Sequence, residues 1–195
     1  MGQTMDSLVV MGVAGCGKSS VAEALAASIG GRLIEGDAFH PSANVEKMRR
    51  GIPLSDADRA GWLDRLAAEL ARVASQGERA VLACSALKRR YRDRLRDGTS
   101  PLGFVFLDLP PAEAERRVGQ RAGHFMPKTL VDSQFADLEP PVTEAFTLAV
   151  DATCSLTAIV NQTLAWWAQA IPDSGFFRHR EIALSRCGAV ELKAS

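Results

Sequence analysis

Leu8-Val9-Val10-Met11-Gly12-Val13-Ala14-Gly15-Cys16-Gly17-Lys18-Ser19-Ser20 is the stretch whose reading decides the fold. Its first four residues form a short, wholly apolar run that stops at a glycine, as a strand buried on both faces does. From Lys18 to about Ile29 the pattern turns helical, with Val21, Leu25 and Ile29 on one side. Between strand and helix, Gly12-x-x-x-x-Gly17-Lys18-Ser19 fits the phosphate-binding loop pattern in the context it requires. The glycines let the backbone wrap an anion so that successive N–H groups point inward. The helix beginning near Lys18 adds the positive end of its dipole. Residues Gly12 to Ser20 are therefore expected to hold the phosphates of a nucleoside triphosphate. Lys18 is expected at the terminal phosphates and the Ser19 hydroxyl on Mg²⁺. Cys16 is open to two readings: a small residue filling a loop position, or a thiol activated by Lys18 and the helix end.

Outward from the loop, apolar runs alternate with helix-period stretches. Arg32-Leu33-Ile34 is a second strand ending in Glu35-Gly36-Asp37. An amphipathic helix is expected over Asp58–Ser75, burying Trp62, Leu63, Leu66, Leu70 and Val73. Then follow Ala80–Cys84, a basic helix near Lys88–Arg96, the run Phe104–Leu107, and helices around Pro111–Arg121 and Lys128–Leu138. Phe146–Val150 and a helix from about Leu156 to Ala168 complete the pattern. Five short apolar runs separated by helices predict an α/β fold: a three-layer, five-stranded parallel sheet with helices on both faces. One domain over residues 1–170 is expected, with 171–195 an appended tail that loses the alternation. Such sheets receive ligands at the carboxyl ends of their strands, so chemistry belongs in the segments that follow each strand.

Composition sets the bounds. The chain has 195 residues, 47% hydrophobic and 24% charged, the profile of a single globular domain. Lys plus Arg equals Asp plus Glu at 23 each, so overall charge advertises neither nucleic acid nor an anionic membrane. Cys16, Cys84, Cys154 and Cys187 are scattered without metal-ligand spacing and read as reduced thiols of a cytoplasmic protein. No leader pattern and no run of membrane-spanning length is evident.

A phosphate loop alone does not separate kinases from GTPases or motor ATPases. No Asn-Lys-x-Asp guanine signature occurs. Glu35 and Asp37, two residues apart, share a side if the second strand extends that far. Carboxylates facing the loop suit one group that orients the metal, through water in the case of Glu35, and one that receives an acceptor hydroxyl's proton, Asp37. The competing reading is a pair of surface acids capping the next helix.

Four further blocks carry a specific resemblance. They are Gly36-Asp37-Ala38-Phe39-His40-Pro41 with Asn44, Lys47-Met48, Gly51, Pro53-Leu54 and Asp58-Arg59-x-x-Trp62-Leu63; Cys84-Ser85-Ala86-Leu87-Lys88-x-x-Tyr91-Arg92-x-x-Leu95-Arg96; Arg121-x-Gly123-His124-Phe125-Met126-Pro127; and Ser133-Gln134-Phe135-x-x-Leu138-Glu139-x-Pro141. In order and spacing, from about Leu8 to about Trp167, the chain resembles the bacterial-type P-loop gluconokinase family. That resemblance implies transfer of the ATP γ-phosphoryl group to the 6-hydroxyl of D-gluconate, a fold like that of shikimate and nucleoside monophosphate kinases, a mobile lid, and a homodimer.

Gluconate is a polyhydroxy monoanion, so its pocket needs cations and hydroxyl-directed polar groups. Lys88 and Arg92 are four apart with Tyr91 beside them, and with His40, Arg59 and His124 they are the expected acceptor side. A solvated basic face is the alternative for the Lys88–Arg92 segment, and a structural loop residue the alternative for His40. Arg117 and Arg121, also four apart, lead into the lid, about 117–140, and are expected to bring charge to the transferring phosphoryl group. Without the family context they read equally as partners of Glu113 or Glu115. An adenine pocket is expected beside Ala152-Thr153-Cys154. The rival functions are a related kinase for shikimate or another sugar acid, and a nucleotide-dependent switch protein.

Overall fold

The computed structural model describes residues 5–120 and 128–170. Five strands, β1 (Ser7–Met11), β2 (Arg32–Glu35), β3 (Ala80–Ala83), β4 (Leu102–Asp108) and β5 (Thr147–Asp151), form one sheet. All four pairings are parallel, in the order β2-β3-β1-β4-β5. The strands are connected by α1 (Lys18–Ile29), a 3-10 turn (Gly36–Phe39), α2 (Ser42–Arg49), α3 (Asp56–Ser75), α4 (Arg89–Arg96), α5 (Pro111–Gly119) and α6 (Lys128–Asp137); α7 (Leu156–Ala170) follows β5. The α/β sheet expected from the alternation is present, with the helices distributed over its two faces.

Period-2 side-chain alternation divides the core. Leu8, Val10, Val81, Ala83, Val105 and Leu107 join α1 and α7 residues on one face. Val9, Met11, Leu82, Phe104 and Phe106 face Trp62, Leu66, Leu70 and Leu95 of α3 and α4 on the other. Both faces are covered, which is why the strand runs read as continuously apolar rather than alternating. In α3, Leu66 and Leu70 are fully buried, each worth about 1.5–3 kcal/mol of burial. Ser55 begins this helix with a capping box: its hydroxyl receives the Asp58 N–H while the Asp58 carboxylate receives the Ser55 N–H. Trp167 is buried with its indole N–H on the Met5 carbonyl at 2.9 Å.

Two expectations fail locally. β2 ends at Glu35, and Asp37 lies in the 3-10 turn, so the two carboxylates do not share a strand face. Cys154 is disulfide-bonded, against the expectation of reduced thiols throughout.

Candidate functional site

β1 leads straight into the phosphate loop, and the loop's shape needs its glycines. Gly12 adopts φ +143°, and a Cβ there would stand 2.8 Å from the Leu107 carbonyl oxygen of β4. The Cys84 N–H donates to the Val10 carbonyl and the Gly12 N–H to the Ser85 carbonyl, tying the loop's root to the end of β3. Lys18 folds back over the loop, its Nζ donating to the Val13 carbonyl at 3.0 Å. Ser19 Oγ donates to Glu35 Oε2 at 3.1 Å, bringing a hydroxyl and a carboxylate together at the loop's exit. Cys16 is buried, and that burial pushes its thiol pKa up despite Lys18. The activated-thiol reading is therefore corrected: desolvation outweighs the nearby cation.

Asp37 is exposed, one residue beyond Gly36. A Cβ on Gly36 would stand 2.6 Å from the Ala83 carbonyl oxygen, so the chain passes closely over the end of β3 at this point. Trp62, expected only as core, also donates its indole N–H to the Gly36 carbonyl at 2.8 Å. It thereby fixes the turn that carries Asp37. The His40 ring stacks on Trp62, with centroids 4.2 Å apart. Its Nδ1 is buried without a hydrogen-bond partner among the described residues. Burial lowers the His40 pKa, with Arg59 adding to the effect and Asp37 opposing it. Burial thus favours the neutral ring, which can take a hydroxyl in either sense.

The cations expected on the acceptor side form a network with two carboxylates. Lys88 Nζ lies 2.8 Å from Asp137 Oδ1 and 3.1 Å from Asp56 Oδ1. Arg59 Nη1 reaches Asp137 Oδ2 at 3.0 Å and donates to the Tyr91 hydroxyl at 3.1 Å. Asp56 also receives the Tyr91 hydroxyl and Arg90, and the Tyr91 and Lys88 hydrogen bonds hold its pKa below the usual carboxylate range. Neither Asp56 nor Asp137 was singled out from the sequence, because an acidic residue on a helix surface carries no pattern that names its partner.

Arg92 departs from the expectation. Lys88 is the residue before α4 rather than within it, so the two do not share a helical face. Arg92 is 1% exposed and spends its guanidinium on Glu144 and on the carbonyls of Ala86 and Leu87. Ala86 has φ +43°, a strained value for a residue with a side chain. Arg92 thus braces the turn that presents Lys88, and it is structural rather than a substrate ligand.

Arg117 stands beside the phosphate loop: a Cβ on Gly15 would lie 3.4 Å from the Arg117 Cβ. Its Nε pairs with Glu113 Oε1 at 2.7 Å, the ion pair anticipated as its alternative. Glu113, held first by Arg116 and then by Arg117, has its pKa lowered to about 2. Arg121 and His124, the middle of the expected lid and the 171–195 tail lie outside the described residues. Gln134, quoted within a family block but assigned no role, has its Oε1 on the Ala14 N–H at 2.6 Å. The Ala152–Cys154 turn leaves β5 at the same sheet edge, its Thr153 capped by Asp151.

Among known proteins, the family model described as "AAA domain" matches residues 8–141. A gluconokinase of Gluconobacter oxydans (strain 621H) is 51% identical over 72% of this chain and 79% of its own length. The thermosensitive gluconokinase of Escherichia coli (strain K12) is 43% identical over 70% of this chain and 73% of its own. The crystal structure of a gluconokinase from Sinorhizobium meliloti 1021 superposes with a TM-score of 0.79 at 45% identity, covering 91% of this chain and all of that one. The APS kinase of Mycobacterium tuberculosis, at 20% identity and a TM-score of 0.57, shares the fold. With the phosphate loop and these likenesses together, the chain belongs to the gluconokinase family of P-loop kinases.

Proposed function

We propose that the chain transfers the γ-phosphoryl group of ATP to the 6-hydroxyl of D-gluconate, giving 6-phosphogluconate and ADP. The observation that carries this reading is the meeting, at one sheet edge, of an anion-cradling loop with a separate cluster of Arg59, Lys88, Tyr91 and His40. The first suits the nucleotide's phosphates, and the second suits a small hydroxylated carboxylate.

In this reading the N–H groups of Gly12–Ser20 and Lys18 bind the phosphates. Arg59 and Lys88 receive the acceptor's carboxylate, while Tyr91 and His40 address its hydroxyls. Asp37 orients the attacking hydroxyl and takes its proton, Arg117 with Arg121 adds charge and excludes water, and His124 joins the acceptor side. Ser19 and Glu35 offer hard oxygen donors, which fit Mg²⁺ because that ion keeps most of its ligands as water and phosphate oxygens. When bound, Mg²⁺ neutralises charge on the β- and γ-phosphates.

A coupled ADP-release assay across gluconate, shikimate and simple sugars tests the substrate. Release stimulated by gluconate alone is expected. Stimulation by another acceptor points to a related kinase, and no stimulation by any acceptor to a nucleotide switch. A cytoplasmic homodimer belongs to the same reading, and among the described residues no helix is long and apolar enough to cross a membrane. Light scattering on the purified chain should return twice 20.9 kDa.

A further inference from the structure

α6 touches both halves of the site from one helical face. Gln134 places its Oε1 on the Ala14 N–H of the phosphate loop. Asp137, three residues on and so on the same face, places one carboxylate oxygen 2.8 Å from Lys88 Nζ and the other 3.0 Å from Arg59 Nη1. Each contact sets an oxygen of the protein on a donor that the transfer reaction needs. Loop N–H groups serve phosphate oxygens, and a Lys–Arg pair serves a carboxylate. The amide oxygen answers the first as a hydrogen-bond acceptor, without the charge, and the carboxylate answers the second in both geometry and charge.

We propose that Gln134 and Asp137 are internal stand-ins for the two substrates, and that α6 thereby makes the binding of each substrate favour the other. The proposal rests on the reading that Lys88 and Arg59 receive the acceptor's carboxylate. The leverage comes from the helix's far end. The Glu139 N–H donates to the Leu87 carbonyl at 2.9 Å, and Glu139 Oε2 receives the Arg89 N–H at 2.6 Å. This end is anchored on the β3–α4 turn, while Asp137 and Gln134 extend back from the anchor along the helix. An acceptor carboxylate that takes Lys88 and Arg59 displaces Asp137 and loosens the helix that holds Gln134 on the loop. A phosphate oxygen that takes the Ala14 N–H displaces Gln134 and loosens Asp137. The second ligand finds its stand-in already withdrawn, and linkage requires the effect to be equal in both directions.

The test is calorimetry on the full chain, with a non-hydrolysable ATP analogue and gluconate titrated singly and each in the presence of the other. In the native protein each ligand should tighten the other by roughly fivefold, the lower end of ordinary coupling. Titrated singly, gluconate should bind more tightly to Asp137→Asn and the analogue to Gln134→Ala, each by roughly 2–10-fold, the net worth of one displaced hydrogen bond, with a smaller gain for the other ligand. Both variants should bring the coupling factor close to one. Residues with only a structural role would instead weaken binding. Gln134→Met, equal in length but lacking the acceptor oxygen, replaces Gln134→Ala if thermal melting shows the alanine variant to be unfolded.

Independent binding in the native protein, or undiminished coupling in both variants, overturns the proposal. So does weaker binding of the matching ligand by a variant that melts like the native chain. Lys88→Ala separates the two readings. If it leaves gluconate affinity unchanged, the acceptor assignment has failed and the proposal with it. If it abolishes gluconate binding while Asp137→Asn leaves coupling intact, only the stand-in role is lost.

Discussion

The phosphate loop is one continuous stretch, Gly12–Ser20, that offers mainly backbone, whereas the residues proposed for the acceptor side, His40, Arg59, Lys88 and Tyr91, come from separate segments and offer side chains. The loop's geometry is written into consecutive residues, because glycines permit its torsions and the helix after it supplies the field. The acceptor side has no such local script. Its cations Arg59 and Lys88 are held by Asp56 and Asp137. Under the proposed assignment, donor recognition is a property of a motif and acceptor recognition a property of a network.

The strongest way to sharpen that division is at the residue between the two halves. Asp37→Asn should lower kcat by ~10²–10⁴-fold, the range for loss of a general base. The affinity for an ATP analogue should stay within about twofold, since no ground-state contact to the nucleotide is removed. Steady-state kinetics with calorimetry checks both, and an ordinary kcat would remove Asp37 from its role.

The network can be broken without touching substrate. Arg92→Ala leaves Glu144, at 8% side-chain exposure, with Arg96 as its remaining partner at 2.7 Å, and should cost about 1–3 kcal/mol in urea unfolding. Glu144→Ala strands the buried Arg92 guanidinium and should cost more, about 3–5 kcal/mol, and the two should fail to add in the double variant. A sharp rise in the gluconate KM with stability unchanged would restore Arg92 to the substrate side.

Two glycines offer a symmetrical break. Gly12→Ala combines φ +143° with a Cβ 2.8 Å from a carbonyl oxygen, a strain of about 1–3 kcal/mol. It should weaken nucleotide binding first. Gly36→Ala sets its Cβ 2.6 Å from the Ala83 carbonyl oxygen and should displace Asp37, lowering kcat while nucleotide affinity is kept. Binding and turnover measured on both variants decide whether the two halves separate as described.

The smallest effects lie in the α3 start that presents Arg59. Ser55→Ala should cost about 1 kcal/mol by thermal melting. Asp58, held first by Lys47 and then by Ser55, has its pKa lowered from 3.8 to about 2. A carboxyl whose pKa is lower folded than unfolded stabilises above the unfolded value and loses that contribution as pH falls through the folded one. Melting temperature in the native chain should therefore fall between about pH 4 and pH 2, and Asp58→Asn should flatten that decline.

The sequence alone was enough for the sheet, the phosphate loop and the family. Strands buried on both faces announce themselves as apolar runs, and the loop's glycines and lysine are consecutive, so one-dimensional order carries the signal. The bounds of α3 and α6 were legible to within two residues for the same reason of periodicity. Tertiary structure decided what no spacing encodes: that Arg92 turns inward to brace the Ala86 turn, that Trp62 holds the Gly36 carbonyl, and that Asp137 and Gln134 reach Lys88, Arg59 and the loop from one helix. Which charge meets which is set by the packing of distant segments, and a charged side chain carries no mark in the sequence of the partner it will find.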